Sequence, residues 1–457
     1  MTAETTGPEG PITDPAERRR EQRGWYFYDF ACSVYSTTVV TVFLGPYLNE
    51  LAKTAAGGGT HVYPLGIPVH VDSLFAYAVS ASLVVAIVAM PLVSAAADRR
   101  GRKKPLLAAA AYLGAGATTC MFFLKDDRYL LGALLLVVAN AALAVSMMLY
   151  NSYLPQISEP EERDAVSSRG WAFGYTSGAL VLVLNLVLYS GHESFGLSAG
   201  EAVRICLASA GLWWGAFALI PLKRLRDRGV PAADAVEADG TGAVGAGWRQ
   251  LRATLVDMRN HPKTLAFLLA YLVYNDGVQT VISQAAVFGK NELGLEQTTL
   301  ITAVLLVQVL AVAGALAMGR VARTHGAKRT ILGALVVWTL ILLAGYFLPA
   351  GAPVFFYFLA AAIGLVMGGT QALSRSLFSH TVPEGKEAEY FSAYELSDRG
   401  LSWLGPLVFG LVNQLTGSYR AAIISLVIFF VAGFVLLARV PVREAAREAG
   451  NVVPERI

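Results

Sequence analysis

Long apolar stretches recur along the whole chain, and they constrain its fold more than any other feature. A helix needs about 20 residues to cross roughly 30 Å of hydrocarbon. We predict twelve crossings, at 25–49, 72–97, 105–124, 129–154, 168–190, 200–222, 263–288, 297–320, 330–348, 353–378, 388–414 and 419–440. Helices are required because a lone strand cannot satisfy its backbone groups in lipid, and the alternating pattern of a membrane barrel is absent. The sequence therefore predicts an all-α integral membrane protein.

The composition agrees with a chain that is solvated largely by lipid. Of the 457 residues, 55% are hydrophobic and 15% are charged, whereas about a quarter of a soluble chain is charged. The net charge of +3 is small, and the arginines cluster in short loops, so nucleic acid is not expected as a partner. The three cysteines lie in apolar segments without the spacing of a metal site or a disulfide framework. We expect no metal and no cofactor, and the absence of nucleotide-binding and hydrolase motifs argues against an enzyme.

Basic residues predict the orientation of the crossings. With the amino terminus inside, most of the 36 Lys and Arg residues fall at cytoplasmic helix ends. The basic segments on that side are RRREQR, DRRGRKK, KRLRDR, RVARTHGAKR and the carboxyl-terminal tail. Both termini are therefore predicted to be cytoplasmic, which requires an even number of crossings. The first 24 residues lack the apolar core of a cleaved signal peptide, so we expect them to stay on the mature protein.

A polar segment at 223–262 separates the first six crossings from the last six. Its Gly-, Ala- and Asp-rich part is expected to be a flexible cytoplasmic linker, and Trp248 to Met258 is predicted to form a short amphipathic helix on the membrane surface. The predicted domains are a tail at 1–24, an N-terminal half at 25–222, the linker at 223–262, a C-terminal half at 263–440 and a tail at 441–457.

The two halves resemble each other. SAAADRRGRKK follows the second crossing and GRVARTHGAKR follows the eighth, and further matches pair Asp29 with Asp276 and Arg169 with Arg399. Since each half has six crossings in the same orientation, this is a parallel repeat about an axis along the membrane normal, as in major facilitator transporters. The alternative is chance similarity between apolar helices.

The segment SAAADRRGRKK also resembles the loop pattern of the major facilitator superfamily, GxxxD(R/K)xG(R/K)(R/K), with Ser94 in place of the leading glycine. Within that superfamily, WYFYDFACSVYSTTVVTVFLGPYL, SSRGWAFGYTSG and the YNDG segment resemble the vacuole-effluxer branch over residues 25–440. That branch is named for fungal vacuolar amino-acid exporters, and it has many bacterial members. The chain departs from the family at Cys32, where the family usually has Asn.

The resemblance implies twelve helices in two pseudo-symmetric halves that alternate access to a central site. It implies a secondary transporter in the cell membrane, acting as a monomer on a small polar organic solute, with amino acids and export favoured and with proton coupling. Two alternatives stay open at this point. One is efflux of drugs or lipids by the same fold, and the other is a membrane receptor or scaffold that does not transport.

Polar side chains within the crossings are the candidates for substrate binding or proton coupling. Asp276 lies 13 residues, or roughly 20 Å, beyond Lys263 and therefore near the bilayer midplane, where a charge is costly unless it is paired, protonated or hydrated. Asp29 is either an inner gate or an interfacial carboxylate that reaches water. The full candidate set is Tyr28, Asp29, Ser33, Tyr35, Asn151, Asn275, Asp276, Gln279, Gln371 and Arg375. For any one of them, hydrogen bonding to a neighbouring helix is the simpler interpretation.

A second set is predicted to act in gating. It comprises the loop residues Asp98, Arg99, Gly101, Arg102 and Lys103, together with Arg169, Glu395, Asp398 and Arg399. The loop is either a solvated positive-inside turn or a latch, and its second copy has Arg323 at the acidic position. Possible pairs are Asp29 with Arg169, and Arg375 with Glu395 or Asp398. Such pairs either hold helices together permanently or break and form during transport.

Overall fold

A computed structural model of the protein describes residues 14–228, 252, 256–399 and 404–457, without the side chains of residues 65, 72, 99, 100, 297 and 399. These residues are almost entirely helical. The α-helices are α1 Pro15–Val34, α2 Leu44–Ala55, α3 Leu74–Arg100, α4 Lys104–Cys120, α5 Tyr129–Asn151, α6 Leu154–Ile157, α7 Arg163–Ser190, α8 Ala199–Arg224, α9 Pro262–Asn291, α10 Gln297–His325, α11 Ala327–Tyr346, α12 Pro353–Ser379, α13 Glu387–Arg399, α14 Leu404–Thr416, α15 Tyr419–Ser425, α16 Val427–Arg439 and α17 Val442–Glu448.

Shorter elements connect some of these helices. A π-helix at Tyr35–Phe43 joins α1 to α2, and an antiparallel hairpin pairs β1 (His61–Val62) with β2 (Val69–His70). Single 3₁₀ turns occur at Pro64–Gly66, Val71–Ser73, Met121–Phe123, Pro160–Glu162 and His192–Phe195.

Eleven helical spans among the described residues are long and apolar enough to cross a membrane, and α14 is a shorter apolar helix. The prediction of an all-helical, multi-pass membrane protein is thereby confirmed. The predicted crossing at 388–414 corresponds to α13 and α14, and residues 400–403 lie outside the described ranges. The count of twelve and the cytoplasmic position of the termini remain predictions. The predicted linker and its amphipathic helix fall mostly outside the described residues.

The first span begins at Pro15 rather than near residue 25. Asp14 caps it by accepting a hydrogen bond from the backbone N–H of Ala16, and Pro15 occupies the first helical position, which suits a residue without an N–H. The polar run that follows is therefore part of α1. Hydropathy alone could not locate this start, because the capping residue lies eleven positions before Trp25, where the predicted apolar crossing begins.

Contacts divide the chain into two compact units. The first unit comprises Met1–Tyr150 and Thr176–Gln250, and the second comprises Asn151–Tyr175 and Leu251–Ile457. Asn151–Tyr175 therefore packs with the C-terminal crossings, although the first of them begins only at Pro262. Ser167 holds it there by donating to the carbonyl oxygen of Ala372 over 2.7 Å. The predicted boundaries of the two halves remain predictions.

The carboxyl-terminal segment packs onto the second unit. Lys263, at the start of α9, forms ion pairs with Glu444 and Glu448 of α17 at 2.6 and 2.7 Å. The Lys263 ammonium holds the pKa of the Glu444 carboxyl below its usual value. Beyond α17, Asn451 donates to the carbonyl oxygens of His380 and Val382, which follow the end of α12. The tail thus satisfies carbonyl groups in the turn that follows α12.

In the second unit, α10 and α12 approach each other closely through glycines. A Cβ atom on Gly314 would lie 2.1 Å from the carbonyl oxygen of Leu365, and one on Gly368 would lie 2.2 Å from that of Ala311. Both distances are shorter than a carbon can approach an oxygen. The two backbones can therefore pack this closely only because the side chains are absent, which is how helices commonly associate in lipid.

Gly368→Ala is expected to lower the melting temperature of the purified protein, because the added methyl group forces α10 and α12 apart. Overpacking of this kind typically costs about 1–3 kcal/mol. Gly333→Ala in α11 is the matched control, since a Cβ atom there has no neighbour within 4 Å. Equal melting temperatures for the two variants would show that the close approach does not contribute to stability.

Candidate functional site

In the first unit, Asp29 lies among aromatic side chains. It is 3% exposed, and its carboxylate accepts a hydrogen bond from the hydroxyl of Tyr150 at 2.7 Å. The ring of Trp25 stacks on Tyr150 at 4.3 Å, and its indole N–H donates to the Tyr150 carbonyl oxygen at 2.9 Å. Tyr28 is fully buried, and the centroid of its ring lies 5.0 Å from that of Tyr150. The carboxylate is therefore held in a fixed position by α1 and the end of α5.

A second series of side-chain hydrogen bonds in the first unit begins at Tyr35. Its hydroxyl donates to the side-chain oxygen of Asn140 at 3.1 Å, and the Asn140 amide donates to the hydroxyl of Ser82 at the same distance. Ser33, two residues earlier, is half-buried. The buried thiol of Cys32 lies 3.7 Å from the sulfur of Met147. The residue that departs from the family pattern thus contacts a methionine in this chain.

The second unit contains a buried charged cluster, centred on Arg375 of α12, which is 1% exposed. Its guanidinium donates to the Ser167 hydroxyl at 2.9 Å, to the Ser167 carbonyl at 3.0 Å and to the Asn151 side-chain oxygen at 3.1 Å. The amide of Asn151 in turn donates to the Glu395 carboxylate at 2.7 Å. The ring of Trp171 lies against the guanidinium, and its centroid is 5.4 Å from the guanidinium carbon of Arg375. Asn151 therefore links a buried cation to a buried anion.

Asp398, one turn beyond Glu395 on α13, anchors α9. Its carboxylate accepts hydrogen bonds from the Asn275 amide at 2.7 Å and from the Tyr271 hydroxyl at 2.9 Å. Tyr274 on the same helix shares a hydrogen bond of 2.6 Å with the hydroxyl of Ser374, the neighbour of Arg375. The helices α9, α12 and α13 are thus joined by polar contacts at one level of the second unit.

Asp276 faces the start of α14. One carboxylate oxygen accepts the backbone N–H of Gly405 at 2.7 Å, at the positive end of that helix. The other oxygen is buried and has no hydrogen-bond partner within the described ranges. The hydroxyl of Thr280 donates to the Asp276 carbonyl, and a Cβ atom on Gly405 would lie 2.0 Å from that hydroxyl. Only glycine therefore allows α14 to approach the carboxylate this closely.

The remaining candidates are placed as follows. Gln371 accepts a hydrogen bond from the Tyr175 hydroxyl, Gln279 is half-buried, and the side chain of Arg169 is exposed. The side chains of Arg99 and Arg399 lie outside the described part of the chain.

The loop between α3 and α4 is closed by contacts within the first unit. Gly101 ends α3 with a positive φ of 58°, and Asp98 forms a buried ion pair with Lys103 at 3.6 Å. Asp227, beyond the end of α8, accepts the backbone N–H groups of Lys103 and Lys104 at 3.0 and 2.9 Å. Arg102 is exposed. Sequence reasoning missed Asp227, because KRLRDR looks like a solvated basic segment and its one acidic residue has no distinguishing pattern.

Asp227→Ala is expected to destabilise the first unit by about 1 kcal/mol, the usual effect of losing a carboxylate that caps a helix. Asp227→Asn retains an oxygen that accepts from the same N–H groups, so it should melt close to wild type. Thermal unfolding of the three proteins in one detergent tests this. Wild-type stability of the alanine variant would mean that the start of α4 does not depend on the cap.

In the second copy of the loop, the acidic position carries a basic residue. Arg323 stands where the first copy has Asp98, and the end of its helix lies beside the first turns of α7. Close packing brings these segments together, because a Cβ atom on Gly319 would lie 2.5 Å from the hydroxyl of Ser168. The last turns of α10 and the first turns of α7 are therefore in close contact in the second unit.

The fold is that of major facilitator transporters. The E. coli fucose:proton symporter covers 93% of this chain with a TM-score of 0.67 at 12% identity, and the chain covers 98% of that structure. The proton:xylose symporter XylE likewise covers 93% with a TM-score of 0.64 at 14% identity, over 95% of its own length. At these identities the similarity shows the fold alone. Together with the apolar spans, it defines the class of protein as a multi-pass membrane protein with this fold.

The chain belongs to the family described as "Vacuole effluxer Atg22 like", which matches residues 17–450. One relative, from Bacillus subtilis strain 168, is the "Uncharacterized MFS-type transporter YxiO", 27% identical over 92% of this chain and 95% of its own length. Another is "Autophagy-related protein 22" of Kluyveromyces lactis, 27% identical over 98% of this chain and 99% of its own length. The resemblance deduced from the sequence is therefore confirmed.

Proposed function

We propose that the protein is a secondary active transporter that exports a small zwitterionic solute, an amino acid, across the cell membrane by alternating access, and that a proton is its coupling ion. The family description as an effluxer supports the direction, and the proton symporters that share the fold support the coupling.

The linkage of Arg375 to Glu395 through Asn151 is the observation that carries the proposal. An amide donates and accepts at the same time, so Asn151 satisfies a cation on one side and an anion on the other. An amino acid offers the same two functions with full charges. Its carboxylate would replace the amide oxygen on the guanidinium, and its ammonium would replace the amide nitrogen on Glu395. Each Asn151 hydrogen bond pairs one charged group with a neutral amide. A zwitterion would pair opposite charges at both ends, and its carboxylate could accept two hydrogen bonds from the guanidinium, which favours the exchange.

Asp276 is the residue that we assign to proton binding. It is buried at the predicted midplane depth, and one of its oxygens has no partner within the described ranges. Such an oxygen can take up a proton without breaking an existing contact, whereas each oxygen that accepts a hydrogen bond would lose it.

The other candidates have supporting parts in this proposal. Tyr28, Asp29, Ser33 and Tyr35 supply polar groups from α1 and the π-helix, and Asn275, Gln279 and Gln371 supply them from the second unit. Arg169, Asp398 and Arg399, with the loop Asp98 to Lys103, are proposed to act in gating. We also propose that the protein is active as a monomer.

A thermal-shift screen of the detergent-purified protein tests the zwitterion requirement, because a ligand that binds the folded state raises its melting temperature. Each amino acid is compared with two matched compounds, the amine without the carboxylate and the acid without the ammonium group. We expect stabilisation by the zwitterion and little or none by either single-charge analogue. Stabilisation by hydrophobic cations or lipids but by no amino acid would overturn the assignment and favour drug or lipid efflux.

A further inference from the structure

A polar pocket of about 440 Å³ opens in the first unit, between the first turns of α1 and the end of α8. Basic side chains line it from both helices: Arg20 from α1, Lys223 and Arg224 from α8, and Arg226 from the segment that follows. Three carboxylates also line it, those of Asp14, Glu17 and Glu21. Its character depends on which of these charges are already paired.

The three carboxylates are all engaged. Asp14 caps the start of α1 by accepting a backbone N–H at 2.8 Å. Glu17 pairs with Arg226 at 2.8 Å. Glu21, which is 1% exposed, accepts the Arg228 guanidinium through both of its oxygens, at 2.5 and 2.6 Å. Glu17 and Glu21 therefore hold α1 to the segment after α8 through ion pairs, whereas Asp14 keeps its negative charge at the start of α1. Four basic side chains line the pocket against these three carboxylates, so the lining carries a net positive charge.

Three cations of the pocket have no such partner. Among the residues that the structure describes, Arg20, Lys223 and Arg224 form no ion pair and no side-chain hydrogen bond. Arg20 and Lys223 are exposed, and Arg224 is half-buried, with its stem packed over Gly24. A preference for basic residues at cytoplasmic helix ends explains why such charges are present. It does not explain why three unpaired cations surround one concave site.

We propose that this pocket binds a phosphate group, held by Arg20, Lys223 and Arg224. The guanidinium fork matches phosphate oxygens in pairs, the ammonium adds a compact charge, and three cations suit an anion that carries more than one charge. The pocket is larger than a phosphate group, so it also has room for the groups attached to it. Two sources share this chemistry on the predicted cytoplasmic side: the phosphomonoester headgroup of an anionic lipid and free phosphate.

A bound phosphate would also act on the loop between α3 and α4. The segment after α8 carries Arg226 and Arg228, which hold α1, and Asp227, which caps α4. An anion that fixes the end of α8 would therefore stabilise all three elements together, and melting temperature is a suitable measure of binding.

The test uses the whole chain of 457 residues in two settings. In detergent, inorganic phosphate is titrated against chloride at constant ionic strength. In nanodiscs, phosphatidylcholine bilayers are compared with bilayers that contain phosphatidic acid. The pocket variant is Arg20→Gln, Lys223→Gln and Arg224→Gln together. The control variant removes the same number of charges elsewhere, by Arg23→Gln, Arg259→Gln and Arg439→Gln, all of them exposed positions outside the pocket lining.

We expect one of the two probes to stabilise wild type and the control variant, and the pocket variant to bind it about tenfold or more weakly. A response to inorganic phosphate identifies free phosphate, and a response to phosphatidic acid alone identifies a lipid headgroup. Equal responses of the pocket and control variants would overturn the proposal in favour of general electrostatic attraction. No response of wild type to either probe would also overturn it. Variants are compared only if they elute as single species and melt cooperatively without ligand.

Discussion

Arg375→Gln is expected to reduce amino-acid transport by about 100-fold or more, because it removes the guanidinium that we propose pairs with the substrate carboxylate. A hundredfold loss corresponds to about 2.7 kcal/mol, which is within the range for a charge-assisted, bidentate contact. Arg375→Lys keeps the charge but cannot reach Asn151 and both Ser167 oxygens at once, so we expect it to retain only partial activity. Flux is measured in proteoliposomes and divided by the amount of folded protein.

Arg420→Gln separates loss of function from loss of stability. Arg420 forms an equally extensive set of contacts, with Glu292 at 2.7 Å and with the carbonyl oxygens of Tyr346 and Leu348, in a region away from the cluster. Its removal should lower the melting temperature and leave flux per folded molecule close to wild type. If Arg375→Gln behaved like Arg420→Gln, the guanidinium of Arg375 would be a structural group and not a substrate contact.

Asp276→Asn is expected to uncouple transport from the pH gradient while preserving the fold. The asparagine side-chain oxygen can still accept the N–H of Gly405, so the start of α14 keeps its partner, but the side chain can no longer bind and release a proton. We expect exchange of labelled amino acid across the membrane to continue and accumulation driven by the pH gradient to disappear.

Asp276→Leu is the comparison that removes the acceptor as well as the charge. It leaves the Gly405 N–H without a partner, which we expect to cost about 1–3 kcal/mol of stability in addition to the loss of coupling. Accumulation by Asp276→Asn at the wild-type level under a pH gradient would contradict the assignment of the proton site.

Much of this architecture follows from the sequence, because the cost of unpaired backbone groups in lipid turns each long apolar stretch into a helix. The same reasoning marks Asp276, Asn151 and Arg375 as candidates, since a polar group in such a helix is costly. The family could be deduced as well, because its identifying residues are clustered in short segments that do not depend on tertiary packing.

The partners of those residues are harder to deduce. Helical periodicity defines which residues share a face, but the rotation and depth of each helix in a bundle depend on side-chain packing across distant segments. Ser167 is an example. It lies in a segment recognised for its arginine and aromatic residues, yet its hydroxyl and carbonyl oxygens are what Arg375 contacts. Asp398 is a second example of a residue whose contacts were not deduced. The sequence suggested either Glu395 or Asp398 as a partner of Arg375, whereas in the structure Asp398 accepts hydrogen bonds from Asn275 and Tyr271.

The most direct test of the account is amino-acid flux in liposomes that contain the purified protein and carry an imposed pH gradient. We predict saturable accumulation of at least one amino acid that depends on the direction of the gradient and collapses when a protonophore is added. Protein-free liposomes and liposomes with Arg375→Gln should show neither effect. Absence of flux for every amino acid, with the gradient imposed in either direction, would contradict the proposal.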